Sequence, residues 1–274
     1  MSRSITLGQY YPASSVLHRA DGRMKLILTV VFMVMCFLCK SLASFALLLL
    51  FTLGLVFAST VPLKIVLKSV RMIIFILIFT FVLNIFFTPG TGEPLLAFWI
   101  FRVYKDGIWK AFFMSFRVFC LVIGTGLLIS YTTSPVDITH SIESLLMPLS
   151  KIGIPVHSFA MMMFIALRFI PTLSDDAEKI MTAQRSRGVD FSSGPLMGRI
   201  RSLVSVLIPL FVSSFRRADE LAVAMECRCY HGGEGKTSLH VMKVRFSDFV
   251  ILFVFLAVAA GTVLLNGIKF GYSM

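Results

Sequence analysis

Charge is what this 274-residue chain has least of: Asp, Glu, Lys and Arg together make up 15% of it, against roughly 25% in a soluble globular domain. Hydrophobic residues make up 57%, and the mean hydropathy is +0.87. A soluble globular domain is thereby excluded, and the chain reads as a polytopic membrane protein. Cysteine is sparse as well. The five present make no disulfide framework, and three of them (Cys36, Cys39 and Cys120) sit in apolar runs, where a cysteine is by default a small buried hydrophobe. No cleavable signal peptide is expected, because residues 1–25 are polar, turn-rich and basic, without a small-residue cleavage site.

Catalytic patterns are missing too. Gly235-Lys236-Thr237 ends like a phosphate loop, but the glycine required five residues before Gly235 is Tyr230, and no strand precedes it. Cys227, Cys229 and His231 offer two thiolates and an imidazole without a second Cys/His cluster to complete a metal site. The five histidines (18, 140, 157, 231, 240) pair with no nucleophile. No catalytic residue, no bound cofactor and no metal ligand is therefore assigned, and the chain is not expected to be an enzyme. The formal net charge of +12 does not indicate nucleic acid, since the basic residues gather in particular loops, as membrane topology requires.

What the chain has is long apolar runs. Leu26–Cys39 and Leu42–Ala58, separated by Lys40-Ser41, read as a tight helical hairpin; the first run spans a hydrocarbon core of ~30 Å only if Met24 and Lys25 extend it and Lys25 snorkels. Residues 59–71, with Lys64, Lys68 and Arg71, read as a basic loop. A third span follows over 70–87, with Asn84 as its single amide, then a Pro/Gly segment over 88–94 with aromatics around it (Phe98, Trp99, Tyr104, Trp109) suited to a membrane interface. A fourth span covers 107–131 and carries Arg117, and a last one covers 249–265. Asn84 and Arg117 are the only strongly polar groups in the spans, too few for a permease that moves its substrate through its own helices.

Residues 132–246 differ in character: thirteen Lys/Arg and ten Asp/Glu alternate with amphipathic stretches. Ser134-Pro135 with Asp137 opens a helix towards Leu149, Pro155 opens a second that Gly188 stops, and a third starts near Leu196. The prolines and flanking charges in 156–173 and 203–215 favour long cytoplasmic or interfacial helices over further spans. One pattern is written twice here. Ala177-Glu178-Lys179-Ile180, Ala183 and Arg187 recur 41 residues later as Ala218-Asp219-Glu220-Leu221, Ala224 and Arg228. A planar guanidinium at a helix end suits a carboxylate or a carbonyl-lined groove on another protein, and two in equal context suit a pair of similar partners.

With five spans, one side of the membrane holds twenty of the 26 Lys/Arg: four at the N-terminus, three in 59–71 and thirteen in 132–246. By the positive-inside rule that side is cytoplasmic, and the C-terminus lies outside. The expected fold is an all-α polytopic membrane protein of about five transmembrane helices plus a cytoplasmic or interfacial domain of long helices. Residues 1–131 hold the N-terminal cytoplasmic segment and helices one to four, 132–246 the domain of long helices, and 247–274 the last transmembrane helix.

At these residues the chain resembles the transmembrane T components (the CbiQ-like family) of energy-coupling factor transporters, which carry two Ala-Arg-Gly-like triplets at the ends of long coupling helices. Here these are Ser186-Arg187-Gly188 and Cys227-Arg228-Cys229. Thr6-Leu7-Gly8-Gln9-Tyr10 with Ser15 and His18-Arg19, and the stretch from Leu167 to Leu173, are also similar to the family, the former to its shared-module type. The resemblance implies a cell-membrane subunit of a vitamin importer, with Arg187 and Arg228 in grooves of two homologous ABC-type ATPase subunits that bind the ATP. A separate, interchangeable membrane S subunit would hold the vitamin. A dedicated cobalt or nickel transporter of the same family is the alternative. Gly22 stands where the family favours proline, and Cys227 and Cys229 replace the usual Ala and Gly. Because a side chain disfavours positive φ, the helix end at Cys229 is expected to cap differently from that at Gly188.

Overall fold

The computed structural model describes residues 11, 13, 15–87, 96–98, 101–191, 195–230, 232 and 245–267. The Thr6–Tyr10 motif, the Pro/Gly segment 88–94, Trp99, His231 and residues 233–244 lie outside the described residues. These fall into two compact units, one within Ile142–Leu239, the other within Gly8–Ser141 and His240–Met274.

The second of these is a bundle built on a hairpin. A short helix α1 (Val16–Arg19) leads into α2 (Gly22–Leu38), which Asp21 caps by accepting the Arg23 N–H at 3.0 Å. Along α2, Leu28, Phe32, Met35 and Cys36 recur at helical spacing and are fully buried. Lys40 and Ser41 turn the chain into α3 (Leu42–Ser59), as the sequence implies. That turn is held from two other helices. Asn266 accepts the N–H groups of Lys40 and Ser41 at 3.0 and 3.2 Å and donates to the Leu38 carbonyl at 2.6 Å. Arg117 donates from Nη2 to the Cys39 carbonyl at 2.7 Å and lies 5.6 Å from the centre of the Phe45 ring. A cation at the carbonyl end of α2 complements its dipole, so the membrane arginine serves as a cap.

Lys25 does not snorkel. It is 3% exposed, and its Nζ donates to the carbonyls of His18 and Thr132 at 3.2 and 2.8 Å. The expected basic loop at 59–71 is also corrected. Thr60, at φ +54, ends α3, and α4 (Leu63–Phe87) starts directly after Pro62, with Lys64, Lys68 and Arg71 on its opening turns. Nothing after Pro62 breaks a helix, and lysine and arginine are good helix formers. Asn84 donates to Thr80 O, one turn back in its own helix, at 2.8 Å, and has no hydrogen bond to another helix among the described residues.

A small antiparallel hairpin, β1 (Leu96–Phe98) with β2 (Phe101–Val103), is the one departure from helix among the described residues. Helix α5 (Lys105–Thr125) follows and ends in a π-helical turn, Gly126–Tyr131. α9 (Phe246–Gly267) closes the bundle against α2 and α3, while α4 lies along α5. Aromatic contacts lock the interior: Phe45 stacks on Phe113 at 4.9 Å, and Phe51 meets Phe255 edge-on at 4.8 Å. On α4, Phe75, Phe79 and Phe87 point outward, as a lipid-facing helix requires.

In the chain, α6 (Pro135–Leu146) and a 3-10 turn (Met147–Ile152) at Pro148 lead into the first unit, which holds α7 (Val156–Ser186) and α8 (Leu196–Glu226). Five described helices are long and apolar enough to cross a membrane: Leu42–Ser59, Gly107–Tyr131, Val156–Ser186, Met197–Glu226 and Phe246–Gly267. The number matches the sequence expectation, and the chain is a multi-pass membrane protein; the set differs. It includes α7 and α8. α2, with 17 residues, and the apolar stretch Ile73–Phe87 of α4 are shorter.

Candidate functional site

The doubled pattern lies on α7 and α8, which are built alike. Each has 31 residues, follows a proline (Pro155, Pro195) and contains another (Pro171, Pro209). The two run antiparallel within one unit. Asp176 on α7 meets Arg217 on α8, their side chains 2.5 Å apart. Towards the end of α7, Gln184 donates to the Ser205 carbonyl at 3.3 Å. That carbonyl is available because Pro209, four residues on, has no N–H to take it. Next to it, Ser202 Oγ donates to the Asp190 carbonyl at 2.9 Å.

The helix ends carry the candidate residues. At the first, Gly188 has φ +86; its N–H donates to Arg185 O at 2.9 Å, and the Val189 N–H donates to Gln184 O at 3.0 Å. This is a Schellman stop, in which a left-handed residue folds the chain back over the last carbonyls. The expectation of a different second cap is corrected. Cys229 takes φ +57, its N–H donates to Glu226 O at 2.9 Å, and the Tyr230 N–H donates to Met225 O at 3.1 Å. The two stops match bond for bond at an offset of 41. For a residue with a Cβ the left-handed conformation costs about 1–2 kcal/mol, and two recovered helix-end hydrogen bonds offset it.

Both stops leave the preceding arginine outside. Ser186, Arg187, Gly188, Cys227, Arg228 and Cys229 are all exposed. Neither guanidinium has a side-chain partner among the described residues, whereas Arg185 lies 5.7 Å from the Phe191 ring and Arg217 is paired. The structure does not bring the two triplets together. Each arginine lies 11 residues beyond the Asp176–Arg217 crossing, in opposite directions, so at 1.5 Å per residue they stand up to about 33 Å apart.

One element has no counterpart in the sequence reading. Beside Arg228, α7 and α8 part to leave a groove of about 490 Å³, lined by Met161, Phe164, Ile165, Arg168, Leu221 and Met225. Arg168 is exposed and, like Arg228, has no side-chain partner among the described residues. The groove depends on which residues of two helices meet. The Asp176–Arg217 pair, by contrast, had a signal: it continues the 41-residue offset one position before Ala177 and Ala218.

Compared with known proteins, residues 13–239 match the profile of the family described as cobalt transport protein, CbiQ. The chain is 49% identical over 252 residues to the energy-coupling factor transporter transmembrane protein EcfT of Ruminiclostridium cellulolyticum, covering 92% of each chain. It is 46% identical over 250 residues to the protein of that name in Clostridium kluyveri, covering 91% of this chain and 92% of the other. With that of Bacillus subtilis it shares 44% over 260 residues, 95% of this chain and 97% of the other.

Proposed function

The chain belongs to the CbiQ (cobalt transport protein) family, that of the transmembrane T components of energy-coupling factor transporters, and on that premise we propose that it is the non-catalytic coupling subunit of such a transporter. Two cytoplasmic ABC-type ATPase subunits bind the ATP, and each receives one arginine: Arg187 with Ser186 and Gly188, or Arg228 with Cys227 and Cys229. A small membrane S subunit holds the micronutrient, a vitamin. The N-terminus and the segment 132–246 face the cytoplasm, and the C-terminus faces outward.

The observation that carries this reading is the pair of exposed arginines, without side-chain partners among the described residues, on matching stops at opposite ends of two crossed helices. When ATP draws the two ATPases together, the arginine-tipped ends are drawn with them. The helices then shear about the Asp176–Arg217 crossing, in the way packed helices slide during domain closure. Methionines on α7 (Met161, Met162, Met163) have the flexible thioethers to repack during that slide. The family's description as cobalt transport protein supports a second reading, in which the cargo is a cobalt or nickel ion.

The test is charge reversal. Arg187→Glu or Arg228→Glu, expressed with the two ATPases and an S subunit, should insert into the membrane normally while losing substrate uptake and the dependence of ATP hydrolysis on transport. Normal uptake by the doubly reversed chain in an intact complex overturns the proposal. Uptake of radiolabelled cobalt against labelled vitamins by the same complex separates the two cargo readings.

A further inference from the structure

The contacts between α7 and α8 follow the 41-residue offset. Asp176 pairs with Arg217, its own counterpart. The Gln184–Ser205 contact maps, with the helices exchanged, onto Met225 and Phe164, and both of these line the groove beside Arg228. A local two-fold through the Asp176–Arg217 pair produces these relations. It makes the two helix ends comparable position by position.

Compared that way, they differ in chemistry. At the Arg187 end the interhelical space is closed by polar contacts: Gln184 on the Ser205 carbonyl, and Ser202 on that of Asp190. At the Arg228 end Met225 stands for Gln184 and Phe164 for Ser205, so no such bond is available and an apolar slot of about 490 Å³ stays open. That size is within the range of pockets that take an organic group. Arg168 replaces Pro209, so a second guanidinium, also without a side-chain partner among the described residues, lines the slot together with Arg228. The concavity beside Ser186 is instead lined by charged and hydroxyl side chains of α7, Asp175, Glu178, Lys179 and Thr182.

We propose that the groove beside Arg228 receives an acidic segment of one ATPase subunit that also carries an apolar side chain, so that the two helix ends bind their ATPases through different chemistry and are not interchangeable. This rests on the reading that Arg228 docks an ATPase. The apolar side chain displaces water from between Met161, Phe164, Ile165 and Leu221, while flanking carboxylates meet Arg168 and Arg228. Arg228 belongs to the proposed docking tip and lines the slot, so a partner reaching the first is already at the second. Charge complementarity selects acids over bases for its flanks.

The experiment uses the full chain coexpressed with two ATPase subunits carrying different tags, purified through this chain, with each ATPase quantified. Phe164→Ser with Met225→Gln gives the groove the residues its counterpart carries; Arg168→Glu changes only an exposed charge. Both should lose, at least tenfold, the same ATPase that Arg228→Glu loses, and keep the one that Arg187→Glu loses. If the groove variants keep both ATPases while Arg228→Glu loses one, the groove proposal fails and the docking reading stands. If Arg187→Glu and Arg228→Glu each keep both, the docking reading itself fails. Equal loss of both ATPases from the groove variants overturns the proposal, as does loss of a copurified phospholipid with both ATPases retained.

Discussion

Asp176 and Arg217 occupy the same position of a pattern written twice, 41 residues apart, and their side chains form the ion pair at which α7 crosses α8. A contact between equivalent positions lies on the axis relating the two helices, so it is the point about which a shear leaves least displacement.

Reversing that pair tests its place. Asp176→Arg or Arg217→Asp alone puts like charges face to face, and the exchange of both restores attraction. The side chains are 19% and 31% exposed, so solvent screens the pair and the coupling is about 1 kcal/mol. Thermal unfolding of the purified chain should show both single variants destabilised and the double variant recovered, with substrate uptake following the same order. Strictly additive effects would deny the pair any role at the crossing.

The left-handed stop at Cys229 gives a second expectation. Cys229→Gly removes the Cβ from a residue at φ +57 and should stabilise the end of α8 by about 1 kcal/mol. Gly188→Cys, placing a side chain at φ +86, should destabilise the end of α7 by a similar amount. Amide hydrogen exchange at Val189 and Tyr230, whose N–H groups close the two stops, measures both changes. A Cys229→Gly chain that exchanges faster at Tyr230 would contradict this account.

The ends of α7 and α8 were legible in the sequence because prolines open both helices and the repeated pattern closes both. The α2–α3 hairpin was legible because Lys40-Ser41 interrupts an otherwise unbroken apolar run. The start of α4 was not, since Lys64, Lys68 and Arg71 suit a basic loop and a helix equally well by composition. The matching cap at Cys229 was hidden because local preference disfavours φ > 0 at cysteine, while the bonds that overrule it form only in the folded helix end. The groove with Arg168 could not be read along one chain, because its walls come from positions some sixty residues apart that only the antiparallel crossing brings together.

Gly22 is a matter of space. A Cβ built there would lie 2.1 Å from Ser141 Oγ, and that hydroxyl, fully buried, donates to the Asp137 carbonyl at 2.6 Å. Gly22→Ala should therefore cost about 1–3 kcal/mol through overpacking, and proline, the residue expected here from the family resemblance, should cost no less. Ser141→Ala removes the obstructing oxygen and leaves a Cβ separation of 3.4 Å. The double variant Gly22→Ala with Ser141→Ala should recover most of the loss in thermal unfolding, and a double variant as unstable as the sum of the singles would refute the steric account.

Lys25 ties three segments together at the start of α2. Its ammonium donates to the carbonyls of His18 and Thr132, and Asp137, Asp248 and Asp21 lie close enough to act on it electrostatically. Asp248 is fully buried, with Oδ2 accepting the Arg245 N–H at 2.8 Å. Lys25→Met leaves two carbonyls without their donor and removes a cation that acts on a buried carboxylate, which should cost about 2–4 kcal/mol. Lys25→Arg keeps the charge but presents a wider planar group to a space fitted to a single ammonium, so it should rescue only part of the loss. Because Lys25 acts on Asp248 electrostatically, Asp248→Asn should destabilise the wild-type chain yet restore part of the stability of Lys25→Met. A Lys25→Met chain made still less stable by Asp248→Asn would show that the lysine acts through the two carbonyls alone.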